Sequence, residues 1–212
     1  CIAQNGPGIT GLVTPIKTAF WNHTPMLLVT PQAANKTMGQ GGFQEVEQMN
    51  LFKDMVCYQE EVRDPSRVAE VLNRVISKAI KGSAPAQLNI PRDFWTQVVD
   101  IDLPPIIKFE RPSGGTEAIK EAADLLSNAK FPVILSGAGV ILADAIDDCK
   151  NLAEKLSAPV ACGYQHNDSF PGKHPLAVGP LGYNGSKAAM EIISKADVVL
   201  ALGTRLNPFS TL

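Results

Sequence analysis

In the first half of the chain, short apolar runs typical of buried strands alternate with segments whose apolar residues have the spacing of a helix with one buried face. Short apolar runs typical of strands occupy residues 1–4, 25–31, 55–62 and 84–91. Before the last run, apolar residues follow the i, i+3, i+4, i+7 spacing of a buried helix face: Val68, Val71, Leu72, Val75, Ile76 and Ala79, with Gly82 expected as the cap. This alternation predicts a mostly parallel sheet covered by helices, an α/β fold.

The pattern stops at residues 98–115 and then starts again. This stretch, VVDIDLPPIIKFERPSGG, has three prolines, two glycines and no helical period, as an extended linker has. Beyond it, helical faces, the first at residues 119–126, alternate with strand-like runs at residues 131–137, 158–164 and 196–203. We therefore predict two doubly wound, Rossmann-like parallel-sheet domains, residues 1–97 and 116–212, and we expect both to be incomplete.

Composition and charge narrow the functional class. The 212 residues are 45% hydrophobic and have a net charge of -2. The charged residues are spread over the chain without a basic stripe, so no nucleic-acid partner is expected. No apolar run approaches the roughly 18 residues of a membrane-spanning helix, so no membrane partner is expected.

The four cysteines show no CxxC spacing, which argues against zinc and against a disulfide framework and favours a reducing, cytoplasmic setting. The chain begins in a strand-like run without a signal pattern and ends just after another strand. We expect an internal fragment of a longer protein.

The turn Gly6-Pro7-Gly8 follows the first strand-like run, at the edge of a parallel sheet where ligands bind. Its glycines allow close approach of the backbone to a ligand, while its proline stiffens the turn and removes an amide donor. The turn therefore favours a flat, rigid contact over a phosphate-binding nest. An ordinary strand-to-helix turn is the open alternative.

A second glycine-rich stretch, GQGGFQE at residues 39–45, has Phe-Gln-Glu where a phosphate-binding P-loop has Gly-Lys-Ser or Gly-Lys-Thr. Lys36 is the only charge between Gln32 and Gly42. We expect Gln44 on the first turn of the next helix, as a neutral amide that can donate to a reacting group, with Phe43 as an apolar wall. Alternatively, Phe43 packs in the core and Gln44 caps the helix.

The turn Gly137-Ala138-Gly139 has the first two glycines of a dinucleotide-binding fingerprint. The third glycine position is Leu142, and no acidic residue ends the next strand, where Gln165 and His166 stand. A tight turn without a ligand is the favoured interpretation. A non-catalytic nucleotide-binding module is kept as an alternative for the whole chain.

Taken together, the motifs resemble one enzyme family over nearly the whole chain. CIAQNGPG, GGFQE and APAQLNIPRD, in this order, resemble the pyrimidine-binding domain of thiamine diphosphate enzymes of the acetohydroxyacid synthase and pyruvate oxidase type. FPVILSGAGV and ADVVLALGTRL resemble the central domain of the same enzymes. The resemblance implies that residues 1–97 are the C-terminal part of the first domain and that residues 116–212 are a truncated central domain.

The resemblance also implies thiamine diphosphate and Mg²⁺ as cofactors. Gly6, Pro7 and Gly8 would flank the aminopyrimidine, and Phe43 and Gln44 would be the catalytic pair that lines the reaction chamber. Lys36 would attract a sulfonate or phosphate group. In the family, the activating glutamate precedes this region and the metal and diphosphate site follows it, so no metal ligand is assigned here. The fragment alone is expected to be inactive.

Within the family, NHTPMLLVTPQAANKTMGQGGFQEVEQM and CGYQHNDSFPG most resemble acyltransferases that convert sulfoacetaldehyde and phosphate to acetyl phosphate and sulfite in taurine and sulfonate breakdown. An acetohydroxyacid synthase-like enzyme, or another thiamine diphosphate-dependent decarboxylase or carboligase, is the alternative activity. The resemblance further implies a homodimer or homotetramer for the full-length protein.

Overall fold

Two compact units, Cys1–Glu110 and Arg111–Leu212, make up the chain in the computed structural model. The structure describes residues 1–105, 107–109 and 112–211. Part of the predicted linker at residues 98–115, and the last residue of the predicted second domain, lie outside the described residues. The linker and domain limits therefore stay predictions.

The first unit is built on a three-stranded sheet with the strand order β1-β3-β2. Its strands are β1 (Met26–Gln32), β2 (Tyr58–Glu61) and β3 (Pro85–Pro91), and both pairings are parallel. The predicted strand at residues 1–4 is reduced to a parallel bridge between Ile2 and Val29 on the free side of β1. The helices are α1 (Pro7–Thr10), α2 (Val13–Trp21), α3 (Gln48–Phe52) and α4 (Val68–Gly82), with 3-10 turns at Pro65–Arg67 and Arg92–Phe94.

Helix α4 confirms most of the apolar face that the sequence predicts, whereas Ile76, which was expected on that face, is exposed. Val71, Val75 and Ala79 are buried against β3, where Ala86 and Leu88 are also buried. Burying each valine side chain contributes about 1.5–3 kcal/mol to the stability of the unit.

The predicted helix cap at Gly82 is wrong. Gly82 is the last helical residue, and the left-handed position belongs to Ser83, with a φ of 45°. A Cβ atom at Gly82 would lie 3.0 Å from the Cys57 sulfur. Gly82 therefore lets the end of α4 pack closely against Cys57.

The second unit is a four-stranded parallel sheet with the order β6-β5-β4-β7. Its strands are β4 (Pro132–Ser136), β5 (Val160–Gly163), β6 (Ala177–Leu181) and β7 (Val198–Leu202). Its helices are α5 (Thr116–Ser127), α6 (Ala138–Leu142), α7 (Ile146–Leu156), α8 (Lys187–Ser194) and α9 (Pro208–Thr211). The chain moves outward from β4 to β6 and then returns to the other side of β4. This reversal is the doubly wound topology that the sequence predicts.

Helix α5 differs from the other predicted helices because none of its residues is buried. Ile119, on its predicted apolar face, is 56% exposed. No helix in the described ranges is long and apolar enough to cross a lipid bilayer.

Candidate functional site

Two loops of the first unit meet at one edge of its sheet. The bridge residue Ile2 and strand β1 run parallel, so the segments that follow them leave at the same edge. One segment carries the Gly6-Pro7-Gly8 turn and the other carries Phe43 and Gln44. The structure thus brings the two predicted site motifs of this unit together.

The contact between the loops is made by Gly6 and Gln44. A Cβ atom on Gly6 would lie 2.8 Å from the Gln44 carbonyl oxygen and 2.9 Å from the Gln44 Cβ, which is too close for any side chain. Gly6 also has a φ of 70°, which L-residues with side chains rarely adopt. Gly6 is therefore required for the loop of residues 33–47, called the second loop below, to lie against the loop that carries Gly6.

Gln44 itself adopts a strained backbone conformation. Its φ is 61°, in the left-handed region, which costs a residue with a side chain about 1–2 kcal/mol. The expectation that Gln44 stands on the first turn of a helix is wrong, because Phe43 and Gln44 form a turn and α3 begins only at Gln48. Backbone strain of this kind is concentrated at functional sites, where the surroundings hold it in place.

The side chain of Gln44 is held by Gln4. The Gln4 Nε2 donates to the Gln44 Oε1 over 2.9 Å, and the two residues lie 40 positions apart in the chain. Gln44 is partly buried, whereas Gln4 is exposed. Gln4 is a residue of the candidate site that the sequence analysis missed, since nothing in the local pattern indicates its partner.

The glycine-rich turn before Phe43 binds a carboxylate of its own chain. The Glu45 side chain accepts hydrogen bonds from the Gly39 amide over 2.6 Å and from the Gly42 amide over 3.1 Å. These amides are therefore not available as a nest for an external phosphate. Glu45 instead fixes the conformation of the glycine-rich turn that precedes Phe43.

Phe43 and Lys36 are both exposed in this unit. Phe43 is 81% exposed, so the alternative in which it packs in the core is wrong for the described part of the chain. Lys36 lies in the turn of residues 35–39. Their roles at the site stay predictions, as do those of Gly6, Pro7, Gly8 and Gln44.

A buried polar network in the sheet, on the side of helix α3, was also missed. Gln87 donates to the Thr30 Oγ1 over 3.0 Å, and Thr30 donates to the Asn89 Oδ1 over 2.6 Å. Asn89 in turn donates to a Glu61 carboxylate oxygen over 2.6 Å. The chain of bonds crosses all three strands and joins their polar side chains on one face of the sheet.

The network reaches helix α3 through two glutamines. The Gln48 carbonyl accepts from the Gln87 Nε2 over 3.4 Å, and the buried Gln48 side chain donates through its Nε2 to the Pro31 carbonyl over 2.6 Å. Gln59 donates to the Gln87 Oε1 over 2.9 Å and to the Met49 carbonyl over 2.7 Å. A signal in the sequence was the i, i+2 spacing of polar residues inside the strands, which places them on the same face.

The Gly137-Ala138-Gly139 turn of the second unit is a packing feature. A Cβ atom on Gly139 would lie 2.5 Å from the Gly203 Cα, so the turn lies directly against the backbone that follows β7. Close packing accounts for the glycines without a nucleotide. The hollow beside them, about 330 Å³, has apolar side chains such as Val140 and Leu152.

Another hollow, of about 570 Å³, lies at the end of the edge strand β2 and is lined by surface charges. Arg74 pairs with Glu60 over 2.9 Å and with Glu70 over 2.8 Å. Hydrogen bonds from Arg67 and Arg74 lower the pKa of Glu70 to about 2. Arg67, Arg74, Glu60 and Glu70 thus pair with one another, and two of them, Glu60 and Arg67, line the hollow. Among the described residues, no group of His, Cys, Asp and Glu side chains could hold a metal ion.

Comparison with known proteins defines the family of the chain. The N-terminal TPP binding domain of thiamine pyrophosphate enzymes matches residues 1–51, and the central domain of these enzymes matches residues 119–212. Both matched domains are successive parts of the same enzymes, and each falls in one of the two α/β units. The chain therefore belongs to the thiamine pyrophosphate enzyme family.

Two curated relatives match the full length of the chain. The sulfoacetaldehyde acetyltransferase of Roseovarius nubinhibens is 79% identical over 211 residues, which are 100% of this chain and 35% of that protein. The probable sulfoacetaldehyde acetyltransferase of Rhizobium meliloti is 76% identical over 211 residues, which are 100% of this chain and 36% of that protein. The chain thus spans about a third of the length of these relatives.

A solved structure shows the same fold. The thiamine diphosphate-dependent 4-hydroxybenzoylformate decarboxylase of Rhodococcus jostii RHA1 is similar with a TM-score of 0.80 and 22% identity. The similarity covers 96% of this chain and 40% of that chain. At this identity, the match supports the fold and carries no argument about the substrate.

Replacing Gly6 by alanine in the full-length protein is expected to displace the second loop, because the added Cβ meets the Gln44 carbonyl. Gly39→Ala is the matched control, since Gly39 also has a positive φ, of 81°, but has no atom within 4 Å of an added Cβ. We expect Gly6→Ala to accelerate tryptic cleavage at Lys36 clearly more than Gly39→Ala does. Gly39→Ala adds only the backbone strain of about 1–2 kcal/mol, whereas Gly6→Ala adds this strain and the clash with Gln44. Equal cleavage rates in the two variants would contradict the required contact.

Proposed function

We propose that the full-length protein is a thiamine diphosphate-dependent acetyltransferase that converts sulfoacetaldehyde and phosphate to acetyl phosphate and sulfite. The names of two relatives at 79% and 76% identity support this activity. In the reaction, the carbon–sulfur bond breaks and sulfite leaves with its electron pair. The aldehyde carbon loses its hydrogen as a proton, the former methylene carbon takes up a proton to become the methyl group, and the carbonyl carbon forms a new bond to a phosphate oxygen. The observation that carries the proposal is the contact of the Gly6 turn with Gln44 at the strand ends.

The residues at this edge fit the aminopyrimidine end of the cofactor. The Asn5 Oδ1, next to Gly6, is buried and has no hydrogen-bond partner within the described chain. A buried acceptor without a partner costs free energy, and a ring that carries N–H donors would satisfy it. Gly6, Pro7 and Gly8 would present their backbone flat to that ring, because no side chain other than the proline ring projects from the turn.

Thiamine diphosphate, when bound, supplies a nucleophilic carbon and an electron sink for chemistry at a carbonyl group. The Gln44 amide would donate a hydrogen bond to the oxygen of the reacting aldehyde as negative charge develops on it. Phe43, whose side chain is 81% exposed in the described chain, would form an apolar wall and exclude water. Lys36 would attract the sulfonate or the phosphate by its charge.

Other parts of the proposal concern the whole protein. Mg²⁺ and the diphosphate of the cofactor would be held by residues outside these 212. A homodimer or homotetramer, a cytoplasmic location and a role in taurine and sulfonate breakdown belong to the proposal as well. Besides copies of itself, the protein would bind small-molecule substrates, with neither nucleic acid nor a membrane as a partner.

The activity is tested by supplying the full-length enzyme with sulfoacetaldehyde, phosphate, thiamine diphosphate and Mg²⁺. We expect sulfite and acetyl phosphate to appear in equal amounts, because one carbon–sulfur bond is broken for each acetyl group transferred. Omission of phosphate is the control and should abolish acetyl phosphate. Absence of sulfite together with formation of acetolactate from pyruvate would replace the proposal by an acetohydroxyacid synthase-like activity.

Gln44→Ala in the full-length enzyme is expected to lower kcat by about 10²–10³-fold, the cost of removing one donor to a developing oxyanion. Gln40→Ala is the matched control, because Gln40 lies in the same loop and its amide bonds only to the Lys36 carbonyl within the described chain. Steady-state kinetics of sulfite release would check both variants. A kcat for Gln44→Ala within about threefold of the control would remove Gln44 from the catalytic role.

Lys36→Ala is expected to raise the KM for sulfoacetaldehyde or for phosphate while changing kcat little, since an exposed cation acts mainly on the capture of an anion. The effect should weaken as the salt concentration increases. Lys53→Ala, which removes another exposed lysine of this unit, is the control. Unchanged KM values for both substrates would show that Lys36 has no part in binding.

A further inference from the structure

We propose that Gln4 is a positioning residue that sets which end of the Gln44 side-chain amide faces the reacting oxygen. This inference rests on the proposed function, because it assumes that Gln44 acts at the reacting group. Gln4 itself is not assigned any contact with substrate or cofactor. Its effect passes through a single side-chain hydrogen bond.

The amide of glutamine has two chemically opposite ends. Its oxygen only accepts hydrogen bonds, and its NH₂ group only donates them. An oxyanion that develops during the reaction is stabilised by the NH₂ end and destabilised by the oxygen end. The orientation of the Gln44 amide therefore decides whether the residue helps or hinders the reaction.

Gln4 fixes this orientation through its own NH₂ group. The Gln4 Nε2 donates to the Gln44 Oε1 over 2.9 Å, so the oxygen end of Gln44 is engaged. Within the residues that the structure describes, no other hydrogen bond holds the Gln44 side chain. The NH₂ end of Gln44 is thus left to donate elsewhere.

The two glycines of the Gly6-Pro7-Gly8 turn make room for Gln44 and for Gln4, respectively. The absence of a side chain at Gly6 admits the Gln44 backbone, as described above. At Gly8, an added Cβ would lie 3.1 Å from the Gln4 Cβ, so the second glycine leaves room for Gln4. The Gln4 carbonyl also accepts from the Ile9 amide over 3.0 Å, which ties Gln4 to the start of helix α1.

The test compares two substitutions of Gln4 in the full-length holoenzyme. In Gln4→Glu, the carboxylate only accepts hydrogen bonds, so it draws the NH₂ end of Gln44 toward itself and turns the oxygen toward the reacting group. In Gln4→Met, a side chain of similar length leaves the Gln44 amide without a fixed orientation. Gln40→Glu, at an exposed position of the loop, controls for the added charge.

We expect kcat to fall about 100-fold or more in Gln4→Glu and only about two- to fivefold in Gln4→Met. KM should change little, because the orientation of the Gln44 amide acts on the oxyanion that develops during the reaction and not on the bound substrate. In a Gln44→Ala background, Gln4→Glu should cause no further loss of kcat. The dissociation constant for thiamine diphosphate, measured by calorimetry, should stay within about twofold of the unsubstituted enzyme. A structural role alone would lower kcat in both Gln4 variants in step with their melting temperatures.

Three results would overturn the inference. They are equal kcat values in Gln4→Glu and the unsubstituted enzyme, additive effects of the Gln4 and Gln44 substitutions, and an unaffected kcat in Gln44→Ala. If Gln4→Glu does not fold, Gln4→Met is combined with Gln44→Ala in its place. The loss of kcat that Gln4→Met causes must then vanish in the Gln44→Ala background. If the enzyme releases no sulfite, the proposed activity fails, and the same ratios are measured on acetolactate formation to judge the inference separately.

Discussion

The close approach of Gly6 to the Gln44 backbone is the constraint on which the candidate site depends. It joins two loops that are remote in sequence, and it works only because Gly6 has no side chain and can adopt a positive φ. The same contact holds Gln44 in a left-handed conformation that costs free energy on its own. Without Gly6, both the place of the second loop and the direction of the Gln44 side chain would change.

The sheet beneath the loops supplies the rigidity that this strained turn requires. A parallel sheet buried on both faces normally carries apolar side chains, yet Thr30, Gln87 and Asn89 are fully buried on one face here. Each of them has hydrogen-bond partners in neighbouring strands, which makes the polar layer tolerable and fixes the register. Through Gln48, the layer also anchors the start of α3, four residues after Gln44. The second loop is therefore held at its C-terminal end by Gln48 and at Gln44 by Gly6 and Gln4.

Periodicity in the sequence predicted most regular elements, since local spacing alone decides which face of a helix or strand is apolar. Helix α4 follows this rule, and its apolar stripe is buried as expected except at Ile76, which is exposed. Strand β6 was missed because it contains Gly179 and Pro180, which are typical of turns rather than of strands. Its place in the sheet comes from pairing with β5, which no local pattern reveals.

The candidate site was predictable only in part, for the same reason. The glycines around Pro7 and the neutral Gln44 stand out in the sequence, and the structure brings their loops together. The conformation of Gln44 was not predictable, because Gly-Gly-Phe-Gln-Glu looks locally like the start of a helix. Contacts with Gly6 and with Gln4, about 40 positions away, override that local tendency. Long-range contacts of this kind leave no trace in spacing, so Gln4 was overlooked.

Glycine-mediated backbone contact occurs in both units, and its consequences differ. In the second unit, Gly139 lies against Gly203, so backbone from the segment after β7 packs directly on the turn. The glycines of that turn serve close packing, and none of Gly137, Ala138 and Gly139 has a polar side chain. In the first unit, Gly6 lies against a residue whose side chain is polar and whose amide is oriented by a neighbour. The two turns thus differ in the residue that the glycine admits, and the glycine pattern alone does not reveal that residue.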